Sequence, residues 1–486
     1  MRRAQWLCLG LILTGTGFEP WRAMRPVPVT DLKQNLPIFE PKTLSNGMSL
    51  VVHQDSYLPL VNVRLLFRAG NATEGAEEKG VLQLLYRLLF SENLQLLSTL
   101  DTMGTEPTVT VQTDGVSVSV EVPADSATAV IAALAKALRE PNWEPSYFAR
   151  VQSEAVRDFR RKYQSARDAS TYVLWQLLYP PGHPLHRSLR GVAASLQNLK
   201  LAQVQAAYKR HVTAKNLGMI LVGRIAPVVA QAWTKREFSF LSTEAAPQVP
   251  RAEAIAAAAP MQGKRRQIFV LPYPNLSQTV MTVGAITPAM GHPDSTATSL
   301  AAGRLRSYLT DKLREDKNIS YGIGGRSYTD HLVGSATIQG SVDSSSTGYA
   351  VREIISQLFQ ATSDDTEPEV MALVRSHAMR RIGDHFTTLS SIAGAAEVAL
   401  KEKPDYFQDE LARIQKVDTF DITKAMKAYL KPEFLTIVLA GDPALIRRQV
   451  AGLGMGTVVI LQSLDSIEEK APPVVGKPAP TGQVAP

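Results

Sequence analysis

Apolar and polar positions along the chain change period in a set order, and that order occurs twice. In the first half, alternating runs predict strands over 61–67, 108–122 and 217–223, and helical spacing predicts helices over 80–90, 126–139, 148–161 and 201–211. In the second half, strands are predicted over 279–285, 334–342 and 435–442, with helices over 295–313, 347–360 and 422–430. Near the start, Asn46-Gly47 between two apolar runs predicts a hairpin with a type I′ turn. The halves close alike. A helix with Tyr208 precedes a strand ending Val222-Gly223, and a helix with Tyr429 precedes one ending Ala440-Gly441, a shift of 218 residues (223 to 441). Strands mixed with helices in this order predict an α+β fold. Two homologous domains of mixed or antiparallel sheet, each with helices packed on one face, should form a clam-like pair.

The domains are expected at 38–230 and 265–465. The span 231–264 between them reads as a linker, its Ala-, Pro- and Gln-rich core at 242–264, and 466–486 reads as a disordered Pro-rich tail. Arg2 and Arg3, an apolar run and then small residues make 1–23 a signal peptide, with an uncleaved anchor as the alternative. The lone cysteine, Cys8, falls inside that segment, so a mature chain without cysteine suits an oxidising compartment, the periplasm of a Gram-negative bacterium fitting best. The 486 residues are 45% hydrophobic and 20% charged, as in an ordinary globular protein. The net charge of +7 is spread along the chain without a basic, aromatic-laced stripe, which argues against nucleic acid.

Candidate chemistry lies in the apolar helix from Gly80 to Phe90. Positions 83, 86 and 87 are spaced i, i+3, i+4 and share one helical face. That is the spacing of H-x-x-E-H, in which two imidazoles hold zinc and a carboxylate activates its water. Here the positions carry Gln83, Tyr86 and Arg87. A guanidinium has no lone pair to give and repels a dication.

The flanking sequence runs Leu44-Ser45-Asn46-Gly47-Met48-Ser49-Leu50-Val51, then Pro59 to Gly70, then an acidic stretch from Glu74. This stretch to Phe90 resembles the insulinase/pitrilysin (mitochondrial processing peptidase-like) family of inverted zinc metallopeptidases. That family has an L-x-N-G-L-x-V hairpin, a P-x-V-x-V-x-L-x-F-x-A-G strand and G-L-A-H-x-x-E-H-x-x-F. The resemblance extends over roughly residues 38 to 465 and implies a member that has lost its zinc motif. It places the third zinc ligand, a glutamate in active members, at Asp158, 71 residues after Arg87 (87 to 158), with Glu154 a solvated charge one turn earlier. One carboxylate cannot hold catalytic zinc, which takes three protein ligands plus water. His183 and His186, in a Pro-rich loop, read as structural. If the former ligand positions converge, Arg87 should pair with Asp158 as a buried ion pair.

In the second half, Leu313-Arg314-Glu315 and Ile319-Ser320-Tyr321 resemble the family's L-R-E-x-x-G-L-A-Y segment, with Asn318 in place of Gly. The resemblance implies that Arg314 and Tyr321 hydrogen-bond substrate backbone and the oxyanion formed at a zinc site. The plain alternative is an Arg interacting with helix-end carbonyls and a core Tyr. The expected role is a non-catalytic subunit of a two-chain peptidase, inactive alone and holding no cofactor. A homologous H-x-x-E-H partner would carry the zinc and cleave an unstructured peptide. The alternative is a structural or peptide-binding pseudopeptidase scaffold.

Overall fold

The computed structural model describes residues 36–179, 193–247, 249, 266–310, 320–329, 332, 334–363, 367–454 and 456–461. The signal segment, the Pro-rich tail, Arg314, His183 and His186 lie outside them.

The first half runs β1 (Lys42–Thr43), β2 (Ser49–Gln54), β3 (Leu60–Phe67), α1 (Val81–Tyr86), α2 (Leu94–Asp101), β4 (Thr108–Val111), β5 (Val116–Pro123) and α3 (Ala127–Arg139). It continues with α4 (Pro145–Lys162), α5 (Ala166–Leu178), α6 (Ala193–Asn198), α7 (Leu201–His211), β6 (Leu217–Gly223) and α8 (Pro227–Glu237). The second half has β7 (Gln267–Pro272), β8 (Gln278–Thr287), α9 (Ser295–Thr310), β9 (Ser320–Thr329), β10 (Gly334–Asp343), α10 (Thr347–Ser363) and α11 (Pro368–Asp384). It ends with α12 (Leu389–Lys401), α13 (Tyr406–Lys416), α14 (Thr419–Tyr429), β11 (Thr436–Gly441), α15 (Pro443–Val450) and β12 (Thr457–Ile460).

Among the described residues the strands form two six-stranded sheets, ordered β1-β2-β6-β3-β5-β4 and β12-β7-β11-β8-β10-β9. The duplication is visible in the pairing. β6 lies parallel to β2 and antiparallel to β3, just as β11 lies parallel to β7 and antiparallel to β8. Helix α8 carries the first half beyond residue 230, with Ala230 and Thr234 buried. The Asn46-Gly47 hairpin forms, but its turn is not type I′. Gly47 donates to the carbonyl of Leu44, and Gly47 alone of the turn has positive φ, at 90°. That is a type I turn followed by a left-handed glycine, a three-residue loop.

Each sheet is covered on both faces, and the second cover comes from the other half. Along β6, Leu217, Met219 and Leu221 join the core made with α1, α3, α4 and α7, whereas Ile220 and Val222 join the core containing α12. Along β11, Ile437 and Leu439 meet the second half's own helices, and Val438 and Ala440 meet α5. Successive strand residues face opposite ways, so this division means that α5 and α12 are exchanged between halves. Two glycines let the exchanged helices sit close. A Cβ on Gly218 would stand 2.7 Å from Leu400 of α12, and one on Gly284 would stand 2.7 Å from Leu174 of α5.

Polar groups fix both crossings. Ser170 of α5 and Thr282 of β8 share a 2.7 Å hydroxyl contact, and Gln339 donates to Thr282 and Thr171. On the opposite crossing, Arg64 of β3 reaches Glu397 of α12 at 3.2 Å and donates to the carbonyl of Ser390.

Candidate functional site

Helix α1 is set by a buried carboxylate. Glu74 accepts from the backbone N–H groups of Gly80 and Leu82, each at 3.0 Å, and so serves donors that the first turn leaves unpaired. Gly80, with φ of 82°, makes the sharp entry. Leu82, Leu84 and Leu85 then sink into the core. The helix does not continue regularly. Residues Arg87–Ser91 form a π-helical turn, closed by the bond from the Glu92 N–H to the Arg87 carbonyl.

The three motif positions separate at this point. Gln83 and Arg87 remain partly exposed, while Tyr86 is 0% exposed, its ring centroid 4.6 Å from that of Phe67 and 6.4 Å from that of Phe90. Among the described residues the Tyr86 hydroxyl has no hydrogen-bond partner, and neither has the Gln83 Oε1. Burial raises the Tyr86 pKa well above the ordinary phenol value. A phenol held protonated in a hydrocarbon pocket cannot stand in for the carboxylate that activates water.

Arg87 and Asp158 meet as the sequence predicts, with Nη1 2.8 Å from Oδ2. The pair is not buried as expected, since Arg87 is 18% exposed and Asp158 40%. Asp158 lies on the outer part of α4, where it also takes Arg161 at 2.7 Å. On its other side Arg87 holds Glu92 through Nε at 3.2 Å and Nη2 at 2.9 Å. Glu92 in turn meets Arg150 at 3.3 Å, and Arg150 meets Glu154 at 2.9 Å. Glu154 is therefore part of an ion-pair chain, not a lone solvated charge. Tyr147 of α4 donates to the Leu88 carbonyl at 3.0 Å and braces the π-helical turn against α4.

This donor set does not fit zinc. The position of the second imidazole holds a cation whose N–H groups are engaged by Asp158 and Glu92, and the first holds an amide. A guanidinium binds the carboxylate that a metal would have bound.

Glu92 escaped the sequence reading because it lies five residues after Arg87, outside the i+3 and i+4 partners of a regular helix. The π-helical turn brings the two together. No sequence signal marks that turn. Tyr321 is the second residue of β9, and the register between β10 and β9 shifts there: Ser341 pairs with Gly322 and Val342 with Ser320, leaving Tyr321 as the extra residue of a β-bulge. The structure thus joins Arg87 to Asp158, leaves Gln83 partly exposed, turns Tyr86 away, and describes Tyr321 by its backbone.

A sequence model of the peptidase M16 inactive domain matches residues 198–370, and one of insulinase (peptidase family M16) matches residues 50–178. Together they cover more than half of the chain. The chain belongs to the insulinase family. Its fold is similar to that of several solved protease and peptidase structures. The inactive domain from Pseudomonas fluorescens superimposes with a TM-score of 0.73 at 18% identity, covering 83% of this chain and 98% of that one. A protease from Helicobacter pylori gives 0.74 at 16% identity, covering 83% and 100%. The first half of the periplasmic protease PqqL from Escherichia coli gives 0.69 at 14% identity, covering 89% and 97%. In sequence the chain is 26% identical over 239 residues to mitochondrial cytochrome b-c1 complex subunit 1 of Caenorhabditis elegans, a match spanning 48% of this chain and about half (50%) of that relative. As an insulinase-family chain it lacks all three residues of the zinc motif, and its fold matches inactive-type relatives.

Proposed function

We propose that this chain is the non-catalytic subunit of a two-chain zinc peptidase. A homologous partner carries H-x-x-E-H, its zinc and the general base, and cleaves an unstructured peptide. This chain donates Arg314 and Tyr321 to the substrate and the oxyanion. The carrying observation is the Arg87–Asp158 pair at 2.8 Å, which puts a guanidinium in place of a metal in this chain's own motif. The bulge at Tyr321 supports the second half of the reading, since bulges gather next to active sites. The apolar leader at 1–23 supports export, and a periplasmic relative agrees with it.

The test is co-expression with an H-x-x-E-H homologue, copurification, metal analysis of each chain and kinetics on an unstructured peptide. This chain alone should hold no stoichiometric zinc and cleave nothing. In the complex, Arg314→Ala should leave assembly intact and slow turnover by about 10²–10³. Tyr321→Phe should slow it less, and the double variant should fall short of the product of the two.

The similarity to a cytochrome b-c1 complex subunit favours a second reading, a structural scaffold without substrate contacts. Wild-type turnover in both variants would select it.

A further inference from the structure

The end of the first sheet at which β2 and β6 both finish, Gln54 beside Gly223, carries an exposed apolar tip. Two connections build it, residues 55–59 between β2 and β3 and residues 224–226 leading into α8. Tyr57 is 88% exposed and Val228, in the first turn of α8, is 80% exposed, the two highest values among the large apolar side chains described. Leu58, Pro59, Pro227 and Val229 are exposed with them. The two connections are fastened side by side. Arg224 donates to the Ser56 carbonyl at 3.1 Å, and the Asp55 N–H donates to the Gly223 carbonyl at 2.9 Å. The Pro59 carbonyl takes the Ala124 N–H at 2.9 Å. Apolar side chains scattered singly over a surface need no explanation, but a braced tip made of them does.

Charge does not select the partner. Exposed Arg224 and Asp125 are opposite in sign, and the Asp55 carboxylate accepts from the Tyr57 N–H at 2.9 Å. A stable protein interface takes about 20–30 residues a side, far more than this tip offers. Lipid makes no such demand, because binding scales with the apolar area immersed and a tyrosine ring suits the headgroup boundary. The route of the chain points the same way. β1 is antiparallel to β2, with Lys42 opposite Leu50 and Thr43 opposite Ser49, so the residues before β1 run toward the tip. Phe39 has already reached His53, with 5.6 Å between ring centroids. Residues 24–35 extend at most roughly 40 Å, so the apolar leader at 1–23 is tied within that reach of this end.

We propose that this tip seats on a phospholipid bilayer, with Tyr57, Leu58 and Val228 entering the headgroup boundary while the leader holds the chain at the membrane. One weak lipid contact is reversible, and two together make a stable attachment. The inference is independent of the peptidase-subunit reading.

The test labels the full chain, carrying Cys8→Ser, with an environment-sensitive fluorophore at Leu58→Cys, Val229→Cys or Ser45→Cys, and adds phosphatidylcholine vesicles. Ser45 is exposed in the turn before β2, at the opposite end of that strand. Emission from positions 58 and 229 should rise several-fold and shift to the blue, and emission from position 45 should stay as in water. High salt should leave the response in place. Tyr57→Ser combined with Val228→Ser should raise the lipid needed for half the response about 10-fold. The melting temperature of that variant should not move, because both side chains are exposed. No response at 58 and 229, as a leader bound alone would give, would overturn the proposal. So would an equal response at 45, a response abolished by salt, or an unchanged lipid requirement in the double variant.

Discussion

The Lys401 Nζ lies 3.0 Å from the Asp114 Oδ1, joining the last turn of α12 in the second half to the β4–β5 turn of the first. The same ammonium is 3.2 Å from Glu397, which in turn meets Arg64. Both Lys401 and Asp114 are nearly dry, at 8% and 4% exposure. Burial pulls the Lys401 pKa down, but Glu397 and Asp114 outweigh it and leave the pKa above the ordinary lysine value.

Lys401→Met should therefore destabilise the whole chain by about 3–5 kcal/mol, because two buried carboxylates lose their shared cation. Denaturant unfolding measures the loss. Adding Asp114→Asn should recover part of it, since the two changes act on one contact.

Arg87→Ala should cost less, about 1–2 kcal/mol, because Asp158 is 40% exposed and solvent screens the pair. A surface change such as Arg157→Ala should stay within about 0.5 kcal/mol by the same melt. A loss at Arg87 no larger than that would show that the guanidinium plays no structural role.

Tyr86→Phe should be neutral or stabilising by up to about 1 kcal/mol, since it removes a buried hydroxyl with no partner and leaves the contacts to Phe67 and Phe90. A clear destabilisation would mean that the hydroxyl bonds an ordered water.

His211, in the last turn of α7, gives the fold an acid limit. Burial, and then Arg210, lowers its pKa to about 4, although its bond to the Ala69 carbonyl works the other way. The unfolded chain takes up this proton near pH 6.5 and the folded chain only near 4. Stability is therefore whole above about pH 6.5 and falls progressively as pH drops toward 4, by about 3 kcal/mol if His211 acts alone. Melting temperatures across that range should slope less steeply in His211→Gln than in the wild type.

Much of the fold was legible because most elements keep one period. Helix α7 and strand β6 appear with the predicted limits, and β3, β8, β10 and α3 differ from the reading by one to three residues at their ends. The exchange of α5 and α12 was not legible. Amphipathic patterning says that a helix has a buried face, and it does not say whose sheet covers that face. Leu174 could have packed on either half, and its place over Gly284 and beside Val438 and Ala440 shows which one. At the site, the family resemblance joined Arg87 to Asp158, whereas helical spacing placed Tyr86 on the face of Arg87. The π-helical turn after Tyr86 and the aromatic pocket of Phe67 and Phe90 settle the difference, and both depend on tertiary packing.

The reciprocal crossing of α5 and α12 makes each half the other's missing layer. A half expressed alone would present one bare apolar sheet face and one orphaned apolar helix, a surface that invites aggregation. Cutting the chain within 242–264 should behave differently, because the severed pieces still hold one another by interior contacts. The linker is then needed to keep the halves together during synthesis, and the finished molecule can do without it. Prising these halves apart would strip two sheets of their cover at once.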